Sequence, residues 1–252
     1  MGEPARILDM IDVTPAFTRA DAQAMQARFE GVFAQDMLRE LLAGELRGRI
    51  AAVSSFGAES AVLLHMVAQV DVDVPVVFTN TQKMFGETLA YRDELAERLG
   101  FTDLRVFRPD PRLLRLKDDK GLRWSYDPDG CCEIRKVEPL RRALAPFSAW
   151  ISGRKGFQAG TRKALPRFEV EDGRLKINPL ADWPKADLEA YFAEHELPRH
   201  PLEAQGYLSI GCAPCTSRVQ PGEDPRAGRW RGWDKVECGI HQAATLGDDP
   251  IF

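Results

Sequence analysis

Short apolar runs alternate with longer helical ones through most of this chain, and that rhythm leaves few folds open. Residues 49–54 (RIAAVS), 74–79, 104–107 and 149–152 read as strands of four to six residues. Between them, residues 59–70, 87–99 and 132–144 carry apolar side chains at helical spacing. Strands this short, separated by helices of ten or more residues, predict a parallel sheet with helices on both faces. Two further β-like runs, 167–171 and 174–177, flank Asp172-Gly173, a hairpin signal. Residues 35–47 and 184–195 read as further helices. The expected fold is therefore α/β: a single domain with a mostly parallel sheet.

Three segments differ in texture. Residues 1–34 read as a peripheral arm with a helix around 21–33, and residues 35–207 hold the α/β rhythm. Residues 208–252 lose periodicity and are rich in Gly, Pro, Arg and Trp, yet they carry three of the five cysteines. Such a segment is expected to be an irregular C-terminal tail folded over the ligand-binding edge of the sheet. No run of 18 apolar residues exists, so no membrane span is expected. Residues 1–12 lack the long apolar stretch of a signal peptide, which makes a reducing, cytoplasmic compartment the default. The net charge of −4 argues against nucleic acid as a general partner. An anionic ligand would need a locally assembled cationic site. Lysines and arginines are indeed grouped at 135–142, 154–163 and 226–235.

The loop after the first strand, Ser54-Ser55-Phe56-Gly57-Ala58-Glu59-Ser60, sits where open α/β sheets bind ligands. Small residues there let backbone N–H groups approach an anion, and the following helix N-terminus favours negative charge. The same residues would suit an ordinary tight turn. The loop matches neither a Walker A sequence nor G-x-G-x-x-G.

Five cysteines cannot all pair within one chain. Four of them fall into two groups, the tandem Cys131-Cys132 and the C-x-x-C of Cys212 and Cys215. Pro128-Asp129-Gly130 precedes the tandem as a helix start would, and helix N-termini lower thiol pKa values. Lys136 lies four residues beyond Cys132, on the same helical face. Structural zinc commonly uses two spaced C-x-x-C knuckles. Adjacent cysteines diverge by about 100° around a helix and suit a bulkier cluster better, though zinc stays open. Cys238, in Glu237-Cys238-Gly239-Ile240-His241, is left over and is a candidate nucleophile, since cationic neighbours favour its thiolate.

Taken together, Cys131-Cys132 with Arg135-Lys136, the Cys212/Cys215 pair, Arg226-x-x-Arg229-Trp230 and the terminal E-C-G-I-H resemble the assimilatory adenylyl-sulfate reductases. These form the iron–sulfur branch of the phosphoadenylyl-sulfate reductase family, and the resemblance spans roughly residues 35–245. It implies an adenine-nucleotide α-hydrolase-like fold and a [4Fe–4S] cluster on Cys131, Cys132, Cys212 and Cys215 that does not cycle redox. Lys136 would link cluster and substrate. Ser54, Ser55, Gly57, Glu59 and Ser60 would hold the nucleotide, with Arg154, Arg226 and Arg229 on the anionic end. Cys238 would attack adenylyl sulfate, releasing AMP and leaving an S-sulfocysteine for thioredoxin to reduce. His241 would orient or balance the thiolate, or be an ordinary surface histidine. A homo-oligomer is compatible with all of this.

Three segments depart from the family pattern. Asn80 and Gln82 stand where Asp and Gly are usual, Phe56 where Ser is common, and Gly156 where a basic residue is common, leaving Arg154 or Lys155 to substitute. The alternative readings are the same chemistry on the 3′-phosphorylated nucleotide, a tRNA-thiolating enzyme on a related fold, and a zinc-stabilised binding module.

Overall fold

The structure, a computed structural model, describes residues 16–158, 164–235 and 237–241. Its centre is a six-stranded sheet in the order β3-β2-β1-β4-β6-β5. The strands are β1 (Ile50–Val53), β2 (Val76–Thr79), β3 (Leu104–Phe107), β4 (Ala149–Ser152), β5 (Phe168–Glu171) and β6 (Arg174–Ile177). All neighbouring pairs are parallel except β5–β6, the hairpin turned by Asp172 and Gly173, both with positive φ. The chain steps outward from β1 through β2 to β3 and then crosses to β4. The reversal at β1/β4 is the place where an open sheet forms its ligand crevice.

The helices are α1 (Arg19–Arg28), α2 (Ala34–Ala43), α3 (Ser60–Ala68), α4 (Gly86–Leu99), α5 (Pro111–Lys117), α6 (Pro128–Cys132), α7 (Glu138–Leu144) and α8 (Lys185–Glu194). Between α6 and α7 runs a π-turn, Glu133–Val137. The larger core lies on one face of the sheet, where Met37, Leu38 and Leu41 of α2 meet Val62 and Val67 of α3, Leu188 of α8, and Ile151 and Ile177. On the other face Leu140, Ala143 and Leu144 of α7 pack against Val77 and Trp150. α1 is docked rather than loose. Phe29, next to its C-terminus, is buried in the main core against Phe168, and Arg167 donates to the carbonyls of Phe29 and Val32.

α5 is an element that the periodicity reading misses. Arg108-Pro109-Asp110-Pro111 looks like a chain breaker, but here Asp110 caps the helix by accepting from the N–H of Arg112, with Pro111 in the first turn. No helix among the described residues is long and apolar enough to cross a membrane.

One buried histidine ties stability to pH. His200 accepts the Leu202 N–H at Nδ1 (3.1 Å), so its proton sits on Nε2 and is donated to Thr88 Oγ1 (3.0 Å). Burial holds its pKa down at about 4, against a smaller opposing pull from Glu87. The unfolded imidazole takes up a proton below about pH 6.5 and the folded one does not until about pH 4. Stability is therefore whole above about pH 6.5 and falls as pH drops, by up to about 3 kcal/mol near pH 4. Urea unfolding at pH 7.5, 5.5 and 4.5 should show this loss in the wild type and a markedly shallower one in His200→Gln.

Candidate active site

At the carboxyl ends of β1 and β4 the chain encloses a cavity of about 260 Å³. Its floor is the β1–α3 loop: Ser54, Ser55, Gly57, Glu59 and Ser60 all line it. Phe56 does not. Its φ is +49° and its ring is fully buried against Phe78, while its N–H donates to Ser54 Oγ at 3.1 Å. The departure at Phe56 is therefore accommodated in the core and leaves the cavity wall polar. Glu59 faces the cavity but is held by Lys155 (3.1 Å) and Gln158 (2.6 Å), so it also ties the β1–α3 loop to the loop after β4.

The second wall comes from that later loop. Ser152, Gly153, Arg154, Lys155 and Gln158 line the cavity. Gly156 offers no side chain, and among the described residues of this loop Arg154 and Lys155 are the cations that line the cavity. Arg154 pairs with Glu169 of β5, and Ser152 donates to Asn178 at 2.6 Å. The roof is the C-terminal tail: Leu208 to Gly211, Arg226, Arg229, Trp230, Glu237, Cys238 and Ile240. Arg226 is tied to Glu237 at 3.4 Å. The side chain of His241 lies outside the described residues. Lys185, Glu189 and Glu203 also line the cavity. No local motif announces them, because α8 and the turn after it reach the cavity only through the tertiary fold.

A second, smaller cavity adjoins the first. Cys131, Cys132, Cys212 and Cys215 all line it, together with Lys83, Arg135, Pro214, Lys136, Arg229 and Trp230. Lys136, Arg229 and Trp230 belong to both cavities and form the partition between them.

Local structure explains how the thiols arrive there. Asp127 caps α6 by accepting the Gly130 N–H at 2.8 Å and pairs with Arg123 at 2.7 Å. A Cβ on Gly130 would run into both of those side chains, so a larger residue there would have to displace the Asp127–Arg123 pair beside the cysteines. Arg135 and Lys136, adjacent in the π-turn after Cys132, point to different sides. Arg135 turns inward to Asp118 (2.6 Å) and the Thr81 carbonyl (2.9 Å). Cys212 is bridged to Met84 in antiparallel fashion, and its Sγ lies 3.2 Å from Thr81 Oγ1. Gln82 there has φ +61° and donates its N–H to Asn80 Oδ1 at 2.9 Å. That left-handed turn is the conformation for which the family's usual glycine is suited.

The electrostatics divide the five thiols. Burial raises Cys131 to about 11, with Arg135 pulling the other way, and burial also raises Cys215. Cys132 and Cys238 lie side by side, and their contact raises Cys132 and holds Cys238 well below the ordinary cysteine range. Burial opposes the Cys238 thiolate. Lys136, the Ile240 N–H and Arg229 favour it. Lys136 keeps its charge in turn: burial works against it, but the surrounding Cys212, Cys238 and Cys132 raise its pKa.

The four-cysteine cavity fits a multi-atom, acceptor-rich anionic group. Two buried donors on its wall, Trp230 Nε1 and Arg229 Nε, have no hydrogen-bond partner among the described residues. Among the described residues no three His, Cys, Asp or Glu side chains, these four cysteines included, are grouped closely enough to hold a metal ion.

These features now meet the comparison with known proteins. A model described as the phosphoadenosine phosphosulfate reductase domain matches residues 49–218. The chain belongs to the phosphoadenosine phosphosulfate reductase family. It is 56% identical over 192 residues to the adenosine 5′-phosphosulfate reductase of Mesorhizobium japonicum, covering 76% of each chain. With the enzyme of the same name from a Chelativorans species it shares 51% over 229 residues, 90% of this chain and 93% of that one. Among solved structures, phosphoadenylyl-sulfate reductase from Candida auris in a phosphate complex superposes with a TM-score of 0.67 at 27% identity, over 81% of this chain and 98% of that one. Membership of this reductase family makes the chain an oxidoreductase and leaves the tRNA-thiolation and binding-module readings without support.

Proposed function

We propose that this family member reduces adenosine 5′-phosphosulfate to sulfite and AMP, with Cys238 as nucleophile. The observation that carries the reading is the position of Cys238. It lies in the wall of the cavity with Lys136, Arg226 and Arg229, facing the Ser54–Ser60 loop. The names of the relatives supply the substrate class.

The chemistry follows from these groups. The β1–α3 loop and the N-terminus of α3 receive the nucleotide, and Arg154, Arg226 and Arg229 receive the phosphosulfate. The Cys238 thiolate attacks the sulfate sulfur. An Sγ–S bond forms as the bond between sulfur and the bridging oxygen breaks, and its electron pair leaves on the AMP phosphate. Arg226 and Arg229 balance the charge that grows there. A dithiol protein of the thioredoxin class then attacks Sγ of the S-sulfocysteine. Sulfite departs with the electron pair of the Sγ–S bond, and the second thiol of the reductant resolves the mixed disulfide. The two electrons come from the dithiol, which ends as a disulfide.

Cys131, Cys132, Cys212 and Cys215 would hold a [4Fe–4S] cluster, which supplies fixed charge beside the cavity. Lys136 stands between those thiols and the nucleophile and links the two sites electrostatically. The chain is proposed to work in the reducing cytoplasm, where a dithiol donor is present. The chain is read as an arm (1–34), a nucleotide-binding body (35–207) and a catalytic tail (208–252).

Mixing the protein with adenosine 5′-phosphosulfate and no reductant tests the reading. Mass spectrometry should find a gain of about 80 Da, one SO₃, on the peptide carrying Cys238. An unmodified Cys238 under conditions that support turnover would overturn it. The Candida auris neighbour makes the 3′-phosphorylated nucleotide the second substrate to compare, by kcat/KM, in the same assay.

A further inference from the structure

Lys235 stands three residues before Cys238, outside both the substrate cavity and the four-cysteine cavity. Its side chain is only 4% exposed, an unusual setting for an ammonium. Three kinds of neighbour hold it. The Asp129 carboxylate forms an ion pair with Nζ. The Trp230 ring lies beneath Nζ, 5.4 Å away at its centroid. The thiols of Cys132 and Cys215 lie within electrostatic reach. Asp129 itself is mostly exposed and belongs to α6, the helix that presents Cys131 and Cys132. It lines a groove on the far side of the tail, together with Gly239 and Ile240. The Lys235–Asp129 pair thus fastens the tail to the body just before the reactive cysteine.

The chemistry imposes two opposite demands on that tail. While Cys238 attacks, it must stay in the cavity wall. Once sulfonated, it must meet a second protein, and a cysteine only 8% exposed cannot do so in place. Three residues span at most about 10 Å, so Cys238 cannot travel far while Lys235 is pinned. A buried lysine deprived of its carboxylate gains by moving to water, and it takes the tail with it.

We propose that Asp129, acting through Lys235, is a positioning residue that seats Cys238, so that breaking the pair slows sulfonation of Cys238 and speeds reduction of the sulfonated enzyme. The inference rests on the proposed nucleophile. Its sign pattern separates it from general damage, which would slow both halves. Arg226–Glu237 is a second tie on the same tail, but Arg226 lines the substrate cavity and its loss would change binding too. Asp129 does not line that cavity, so its substitution leaves the substrate contacts intact.

The test uses the cluster-loaded full chain, matched for iron content, as wild type, Asp129→Asn, Asp129→Glu and the swap Asp129→Lys/Lys235→Asp. Three rates are read: alkylation of Cys238 by iodoacetamide, followed by peptide mass; single-turnover sulfonation by adenosine 5′-phosphosulfate; and release of sulfite from pre-sulfonated enzyme by thioredoxin. In Asp129→Asn, alkylation and sulfite release should each rise about three- to tenfold, and sulfonation should fall by a similar factor. Asp129→Glu should return all three toward wild type, and the swap should restore part of the loss. Unchanged alkylation, or both half-reactions falling together, would overturn the proposal. If wild-type Cys238 is never sulfonated, the nucleophile assignment fails, while the alkylation rates still decide whether Asp129 seats the tail.

Discussion

Replacing Cys238 by serine is expected to reduce sulfite production to below about one part in a thousand, with the four other cysteines still lining their cavity. The argument is one of nucleophile state. Lys136, the Ile240 N–H and Arg229 all favour the Cys238 thiolate, while its burial opposes it. A serine hydroxyl in the same place ionises many pH units higher. The carboxylates described in the cavity wall, Glu59, Glu189, Glu203 and Glu237, are all engaged in ion pairs, which leaves none of them a free general base. The variant should therefore bind nucleotide, keep whatever visible absorption the wild type has, and show no gain of SO₃ mass. Retention of more than about a tenth of wild-type sulfite release would mean that another group performs the attack.

Cys238 stands out in the sequence because the motif around it is compact. Its neighbours do not: Lys136 and Arg229 reach it from distant parts of the chain. Strand limits at 104–107, 149–152 and 174–177 agree with the reading from residue type, whereas the sheet order does not follow from the alternation of elements alone. α5 was hidden by two prolines whose local meaning depends on the cap at Asp110. The meaning of Phe56 and Gln82 was hidden for a related reason. Both have positive φ, and a backbone angle determines whether a side chain enters the cavity or leaves it. The cavity residues from α8 and the turn beyond it, Lys185, Glu189 and Glu203, carry no local signal because their place depends on how α8 packs against α3.

The second large effect is expected at Arg229, and a glycine that carries no charge of its own should reproduce it. Arg229 belongs to the partition between the two cavities, and its guanidinium lies 4.2 Å from the centroid of the Trp230 ring. Its planar donors suit a phosphosulfate oxygen pair, so Arg229→Ala should lower kcat/KM by about 10²- to 10³-fold. Gly211 lies directly against this side chain. A Cβ built there would come within 2.3 to 2.8 Å of three guanidinium atoms of Arg229. The obstacle is the end of a flexible side chain, so Gly211→Ala should fold with a stability close to wild type while displacing the guanidinium. The pair of variants makes the charge argument specific. Gly211→Ala keeps every charge of the protein and moves only one, so a loss within about tenfold of that in Arg229→Ala, with little further loss in the double variant, would place the effect in the position of the guanidinium. Wild-type kcat/KM in Gly211→Ala, measured alongside an unchanged melting temperature, would show that Arg229 does not work from the place where it lies.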